Sequence, residues 1–207
     1  MEGLIISSGS IINYDILKEA IKNKSYVLCA DGGLLHAMHI EIIPNAVIGD
    51  LDSIDQSGLD FIEKNNIPII KFPVEKDETD TELAILHLIE NNIKNITLVG
   101  VTGNRLDHTI GNIYLLKKIK QLIIVDDNNT IYLIDDYIKL RRKEGYYLSI
   151  IPINQDGVVV TLRGFYYPLH EDLIEYGSTL GISNRIIDKY GEVEIIKGEA
   201  LIIEAND

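Results

Sequence analysis

Up to about position 125, short apolar runs alternate with segments whose apolar residues recur at helical spacing. The runs at 3–7, 26–30, 46–48, 67–71, 96–99 and 122–125 predict six strands. Between them, 14–24 (YDILKEAIKNK), 34–40, 57–66, 79–92 (TDTELAILHLIENN) and 106–119 read as helices. Strands alternating with helices of this length imply βαβ units, and therefore a mostly parallel sheet with helices on both faces.

After Asp126 the rhythm changes. Segments 128–135, 137–142, 145–153, 157–164, 191–198 and 199–205 are short, strand-like and separated by Gly, Asn and Asp turns. That pattern suits an antiparallel sandwich or a small barrel. The expected division is therefore an α/β domain over 1–126 and an all-β domain over 127–207, joined at DDNN (126–129).

In an open parallel sheet, ligands bind beyond the carboxyl ends of the strands. The polar clusters obey that rule. SSGS (7–10), ADGG (30–33), GDLDS (49–53), FPVEKDETD (72–80) and GVTGNRLDH (100–108) each follow a predicted strand, along one edge. The opposite turns, such as EIIPN (41–45) and NNIKN (91–95), carry no comparable chemistry.

Composition narrows the partners. The 207 residues carry a net charge of −13, which argues against nucleic acid or an anionic membrane as the main ligand. A lone cysteine, Cys29, excludes an internal disulfide, and five scattered histidines give no zinc pattern. The N-terminus lacks a basic leader and no apolar run approaches a membrane span, so a cytoplasmic protein is expected.

In GDLDS, an extended chain would put Asp50 and Asp52 on one side. Paired carboxylates repel by about 4 kcal/mol at 4 Å and an effective dielectric near 20, a cost that a metal ion or a cap can offset. A helix cap from Asp52 or Ser53 accounts for one acid and leaves the other. In KDETD, Thr79 with Glu82 is a capping-box pattern and Asp80 suits a helix dipole, but Asp77 is left over. Asp50, Asp52, Asp77 and Asp80 on adjacent strand ends are candidate ligands for Mg²⁺, the choice of an oxygen-only donor set. Asp31, Gly32 and Gly33 of ADGG form either a tight turn or a place where a nucleotide approaches the backbone. Neither a GxGxxG fingerprint nor a P-loop is present. Arg105 is a possible phosphate clamp, or a surface arginine; Asp107 could cap a helix, and His108 could be structural.

Taken in order, ADGG, GDLDS, KDETDTELA and GNRLDHTIGN, followed by a β-rich tail with GISN (181–184), resemble the thiamine pyrophosphokinase family over most of the chain. The resemblance implies an α/β catalytic domain that binds ATP and Mg²⁺, then a β-sandwich that binds thiamine and dimerises. It also implies a homodimer with thiamine between the catalytic domain of one subunit and the sandwich of the other. The activity implied is ATP-dependent transfer of a pyrophosphoryl group to thiamine, giving thiamine diphosphate and AMP. In that family's terms, Asp50, Asp52, Asp77 and Asp80 organise Mg²⁺ and the triphosphate. Asp31, Gly32, Gly33, Thr79 and Arg105 belong to the ATP site. Asp107, Ser183 and Asn184 orient the aminopyrimidine, and Asp52, Asp80 and Asp107 are all candidates for a general base. Some members stack thiamine on a tryptophan; this chain has none, and Tyr167 in GFYYPL stands at a similar spacing. Arg185 after GISN departs from the family pattern. The rival readings are a diphosphokinase for another alcohol such as a hydroxymethyl pterin, a nucleotide-binding regulator, and a magnesium-dependent hydrolase.

Overall fold

The structure is a computed structural model and describes residues 1–72 and 77–206. Residues 73–76, in the FPVEKDETD turn, lie outside the described residues. The chain forms two compact units, Met1–Asp127 and Asn128–Asp207.

The first unit contains six parallel strands: β1 (Glu2–Ile6), β2 (Tyr26–Ala30), β3 (Ala46–Ile48), β4 (Ile69–Ile70), β5 (Asn95–Val99) and β6 (Leu122–Val125). Their spatial order is β4-β3-β2-β1-β5-β6. The chain winds outward from β1 to β4 and then returns to place β5 against the other side of β1. This reversal creates a topological switch point between β1 and β5, where the connections leave in opposite directions and open a crevice.

The alternation along the strands explains the two helical layers. Leu4, Ile6, Cys29 and Val47 are buried in one cluster with Leu17 of α1 (Tyr14–Ile21), Leu34 and Ala37 of α2 (Gly33–His39) and Ile62 of α3 (Gln56–Asn65). Residues of opposite parity point to the other face. There a Cβ on Gly3 would meet Leu88 of α4 (Asp80–Glu90), within 2.9 Å. Each fully buried Leu or Ile contributes about 2 kcal/mol. The last helix, α5 (Leu106–Tyr114), has no buried residue, and continues as a 3₁₀ turn over Leu115–Lys118. The predicted helix at 106–119 thus ends early, and buried Leu115 and Leu116 anchor the tightened turn. Strand β4 is shorter than predicted because Ile67 turns into the core and Pro68 has no N–H to give a sheet.

The second unit has two antiparallel layers. One pairs β7 (Asn129–Ile134) and β9 (Tyr146–Pro152) with β13 (Ala200–Asn206) between them. The other runs β11 (Leu169–Ile174), β10 (Val158–Arg163), β12 (Tyr190–Lys197), β8 (Tyr137–Arg141). Ile150 and Ile202 from the first layer pack with Val160, Leu162 and Val193 from the second, so the all-β half is a sandwich rather than a closed barrel. Strand β11 has no counterpart in the apolar pattern. It is an edge strand with the sequence LHEDLI, mostly exposed, and Glu171 at φ +54° breaks its alternation.

Candidate active site

The crevice at the switch point is a cavity of about 420 Å³. Its walls are the loop after β1 (Ser7 to Ser10), the loop after β5 (Gly100 to Arg105) and the start of α5. The two loops are laced together. Gly9 N–H donates to Gly100 O at 2.6 Å, Ser10 N–H to Thr102 O at 2.9 Å, and Asn112 Nδ2 to Val101 O at 2.7 Å. Gly9 has no alternative, since a Cβ there would lie 2.4 Å from both Gly100 O and Thr102 O. The Ser7 hydroxyl shares a 3.0 Å hydrogen bond with Thr81 of α4 at the buried floor. The lining is hydroxyls, amides and backbone, with Arg105 and the exposed His108 as its cationic and titratable members. SSGS is visible in the sequence as a polar cluster, but only the strand order reveals that it faces GVTG. His108 stands exposed on the cavity wall.

Next along the edge stand Asp31, Asp50 and Asp52. The GDLDS turn is not extended. Leu51 adopts φ +68°, and Asp52 N–H donates to Asp50 Oδ1 at 3.1 Å, so one acid's backbone stabilises the other's carboxylate. Neither Asp52 nor Ser53 caps the following helix. Asp55 does, accepting from Gly58 N–H at 3.0 Å, and hydrogen bonds from Ser57 and Gly58 hold its carboxyl below the usual range. Ser53 instead donates to Asp31 Oδ2 at 2.5 Å, tying the ADGG turn to GDLDS. Among the described residues Asp31 Oδ1 is buried with no hydrogen-bond donor, an arrangement that costs free energy unless a ligand supplies a partner. Gly33 is required by packing. A Cβ there would fall 2.0 Å from Ile6 O, so only glycine fits against β1 at this position. Gly32 is less constrained, with Ser8 Cβ at 3.2 Å.

At the start of α4, Thr79 Oγ1 accepts from Glu82 N–H at 3.2 Å. The capping box is half formed, because the Glu82 carboxylate turns to Lys118 Nζ at 2.8 Å. Asp77 is exposed and Asp80 half-buried in the first turn. Among the described residues, no three His, Cys, Asp or Glu side chains stand close enough to hold a metal ion. The four carboxylates share an edge without being drawn into a preformed cluster.

Arg105 and Asp107 open α5 as an ion pair. Arg105 Nε donates to Asp107 Oδ1 at 3.2 Å and Nη2 to Oδ2 at 2.5 Å. This fork holds the Asp107 carboxyl at about 2 and raises the guanidinium. A second cavity, about 280 Å³, is lined by Thr79, Glu82, Asp107, His108, Gly111 and Asn112. The start of α4, with Asp80 as its first residue, therefore shares a concave surface with Asp107.

In the sandwich unit, Tyr167 is 62% exposed and meets Tyr166 edge-on, with ring centroids 4.8 Å apart. Asn184 is buried at 6% and acts on Tyr167 through the backbone. Its Oδ1 accepts from Tyr167 N–H at 3.1 Å and its Nδ2 donates to Tyr167 O at 2.8 Å. The amide is thus turned inward, and Asn184 positions Tyr167. Ser183 is exposed at φ +57°, with its N–H donating to Ser149 Oγ at 3.1 Å. Arg185, the departure from the family pattern, lies over Tyr166 at 5.1 Å.

Residues 17–125 match the family model "Thiamin pyrophosphokinase, catalytic domain", and residues 136–198 match "Thiamin pyrophosphokinase, vitamin B1 binding domain". The chain is 36% identical over 183 residues to thiamine pyrophosphokinase of Bacillus subtilis (strain 168), with 86% of each chain covered. It is 25% identical to thiamine pyrophosphokinase 1 of Arabidopsis thaliana, covering 81% of this chain and 73% of the relative. The solved thiamine pyrophosphokinase from Bacillus subtilis superposes with a TM-score of 0.92 at 31% identity, covering all of both chains. That from Geobacillus thermodenitrificans gives 0.89 at 28%, covering 100% of this chain and 98% of the other. The α/β and sandwich units, the acidic edge and these matches agree, and the chain belongs to the thiamine pyrophosphokinase family.

Proposed function

We propose that this protein transfers the pyrophosphoryl group of ATP to thiamine, giving thiamine diphosphate and AMP. The observation that carries the reading is the pair of consecutive matches, a catalytic description over residues 17–125 and a vitamin B1 binding description over 136–198. In the reaction, the thiamine hydroxyl oxygen bonds to the β-phosphorus, the bond from that phosphorus to the α–β bridging oxygen breaks, and AMP leaves. The hydroxyl proton is lost to solvent or a carboxylate.

Asp31, Gly32, Gly33, Thr79 and Arg105 are assigned to ATP, with Gly33 also required by the packing that shapes the turn. Asp50, Asp52, Asp77 and Asp80 would hold Mg²⁺. The fit is chemical: the donors along this edge are carboxylate oxygens, and Asp31 Oδ1 adds a buried acceptor without a donor among the described residues. When bound, the ion would neutralise triphosphate charge. The protein's own part is to place the phosphates against the switch-point loops and to align the alcohol. The fork with Arg105 holds Asp107 anionic, which suits it to accept a hydrogen bond from the aminopyrimidine. Asp52, Asp80 and Asp107 are all candidates for proton acceptor.

On the substrate side, Tyr167 and Ser183 are exposed and available to the thiamine rings, while Asn184 sets Tyr167 in place. The reading includes a cytoplasmic homodimer that pairs the catalytic unit of one subunit with the sandwich of the other around thiamine. No helix among the described residues is long and apolar enough to cross a membrane. The test is AMP formation from ATP and Mg²⁺ with thiamine, with a hydroxymethyl pterin, or with neither. Thiamine-dependent AMP is the expected result; AMP in the pterin arm alone, or equal AMP in all three, would replace the reading with one of its rivals.

A further inference from the structure

Behind the Ser8–Gly9–Ser10 loop stands a pair of side chains outside the acidic edge. His36 of α2 places Nε2 2.8 Å from Gly9 O, and its Nδ1 lies 2.7 Å from the hydroxyl of Tyr14 in α1. A carbonyl oxygen can only accept, so Nε2 carries the proton and, in the neutral ring, Nδ1 accepts from Tyr14. Tyr14 is fixed in turn by stacking on His39, with centroids 4.0 Å apart at 28°. Both His36 and Tyr14 are half-buried, and His36 is not among the described residues that line the 420 Å³ cavity.

The peptide between Gly9 and Ser10 is consequently held at both ends. Its carbonyl accepts from His36, and its N–H donates to Thr102 O at 2.9 Å. Gly9 cannot be replaced by a residue that would stiffen the loop, because a Cβ would collide with Gly100 O and Thr102 O. The loop's conformation therefore depends on outside partners, and His36 supplies the one on the carbonyl side. A free peptide of this kind could rotate and turn a carbonyl dipole toward the cavity, where an anionic ligand would be repelled.

We infer that His36, oriented by Tyr14, is a positioning residue for nucleotide binding: it holds the Gly9 carbonyl away from the cavity so that the Ser8–Ser10 loop can receive the phosphates of ATP. This rests on the proposed reading of the cavity as part of the ATP site. His36 touches neither substrate, and its effect falls on one substrate only.

The experiment compares wild type with His36→Leu, His36→Gln and Tyr14→Phe in steady-state assays and in calorimetric titrations with ATP and Mg²⁺ without thiamine. His36→Leu is expected to raise KM and Kd for ATP by about tenfold, the loss of a hydrogen bond to the loop. kcat and KM for thiamine should stay within about twofold. His36→Gln keeps a donor near the Nε2 position and should return ATP affinity to within about threefold of wild type. Tyr14→Phe keeps the ring stacked on His39, loses only the hydroxyl, and should weaken ATP about threefold; it carries the test should His36→Leu not fold. Unchanged ATP affinity in these variants would overturn the inference. So would an equal fall for both substrates, which marks a general structural role. The calorimetric readout is independent of thiamine, so wild type that binds ATP without acting on thiamine would overturn the acceptor assignment and leave the loop test intact.

Discussion

Asp107 and Arg105 face one another across Leu106 with both carboxylate oxygens engaged, Nε to Oδ1 at 3.2 Å and Nη2 to Oδ2 at 2.5 Å. Read from the sequence, these residues have separate tasks, phosphate for the arginine and the thiamine ring for the acid. Their pairing joins the two tasks. Arg105 lines the cavity at the switch point and Asp107 lines its neighbour, so under the proposed function a guanidinium that turned toward phosphate would release the carboxylate beside it.

The first prediction concerns pH. Because the fork lowers the folded-state pKa of Asp107 to about 2, the stability it lends is fully present above the ordinary carboxylate value, about 4. That contribution is lost progressively as pH falls from about 4 through about 2. Asp107 is therefore ionised across any working range and cannot produce an acid limb above about pH 5. Asp107→Asn should lower kcat/KM for thiamine by about tenfold or more while leaving the midpoint of that limb unmoved. A pH–rate profile checks this, and a midpoint displaced by about half a unit or more would make Asp107 the titrating base.

A second prediction separates function from capping at GDLDS. Asp52 is exposed, and the cap of α3 is Asp55. Asp52→Asn should leave the melting temperature nearly unchanged, as exposed substitutions do. Turnover should fall by about a hundredfold or more. AMP release and a thermal melt of the same sample decide the matter; retained activity would leave Asp52 without a catalytic role.

Two glycines make a third, purely structural prediction with opposite signs. A methyl on Gly33 would sit 2.0 Å from Ile6 O, so Gly33→Ala should destabilise by about 1–3 kcal/mol or more. At Gly111, inside α5, a methyl group would have nothing within 4 Å, and Gly111→Ala should stabilise by about 0.5–1 kcal/mol. Urea unfolding of the two variants beside wild type reads both.

Much of this is legible along the chain because it depends on local signals. Tyr26–Ala30, Ala46–Ile48 and Leu122–Val125 have strand boundaries where their apolar runs begin and end. Thr79 caps α4 through the short-range bond that its spacing from Glu82 suggests. What stays hidden depends on contacts between distant residues. The strand order that sets SSGS against GVTG follows from β5 returning beside β1, which no periodicity encodes. The bond from His36 to Gly9 spans 27 positions and that from Asn184 to Tyr167 spans 17, so neither histidine nor asparagine announces its partner. Leu51 at φ +68° defeats the extended reading of GDLDS, because positive φ at a leucine is imposed by its surroundings. Strand β11 escapes notice for the reverse reason: an edge strand can be polar on both sides and still pair.

The central claim is that two phosphates leave ATP together and arrive on thiamine. The direct measurement is to supply ATP labelled in its γ-phosphate, with Mg²⁺ and thiamine, and to follow the label and the adenine nucleotide in one time course. The expected result is label in thiamine diphosphate, matched mole for mole by AMP, with both absent when thiamine is withheld. Label released as inorganic phosphate or pyrophosphate with no thiamine diphosphate, or ADP formed in place of AMP, would contradict it.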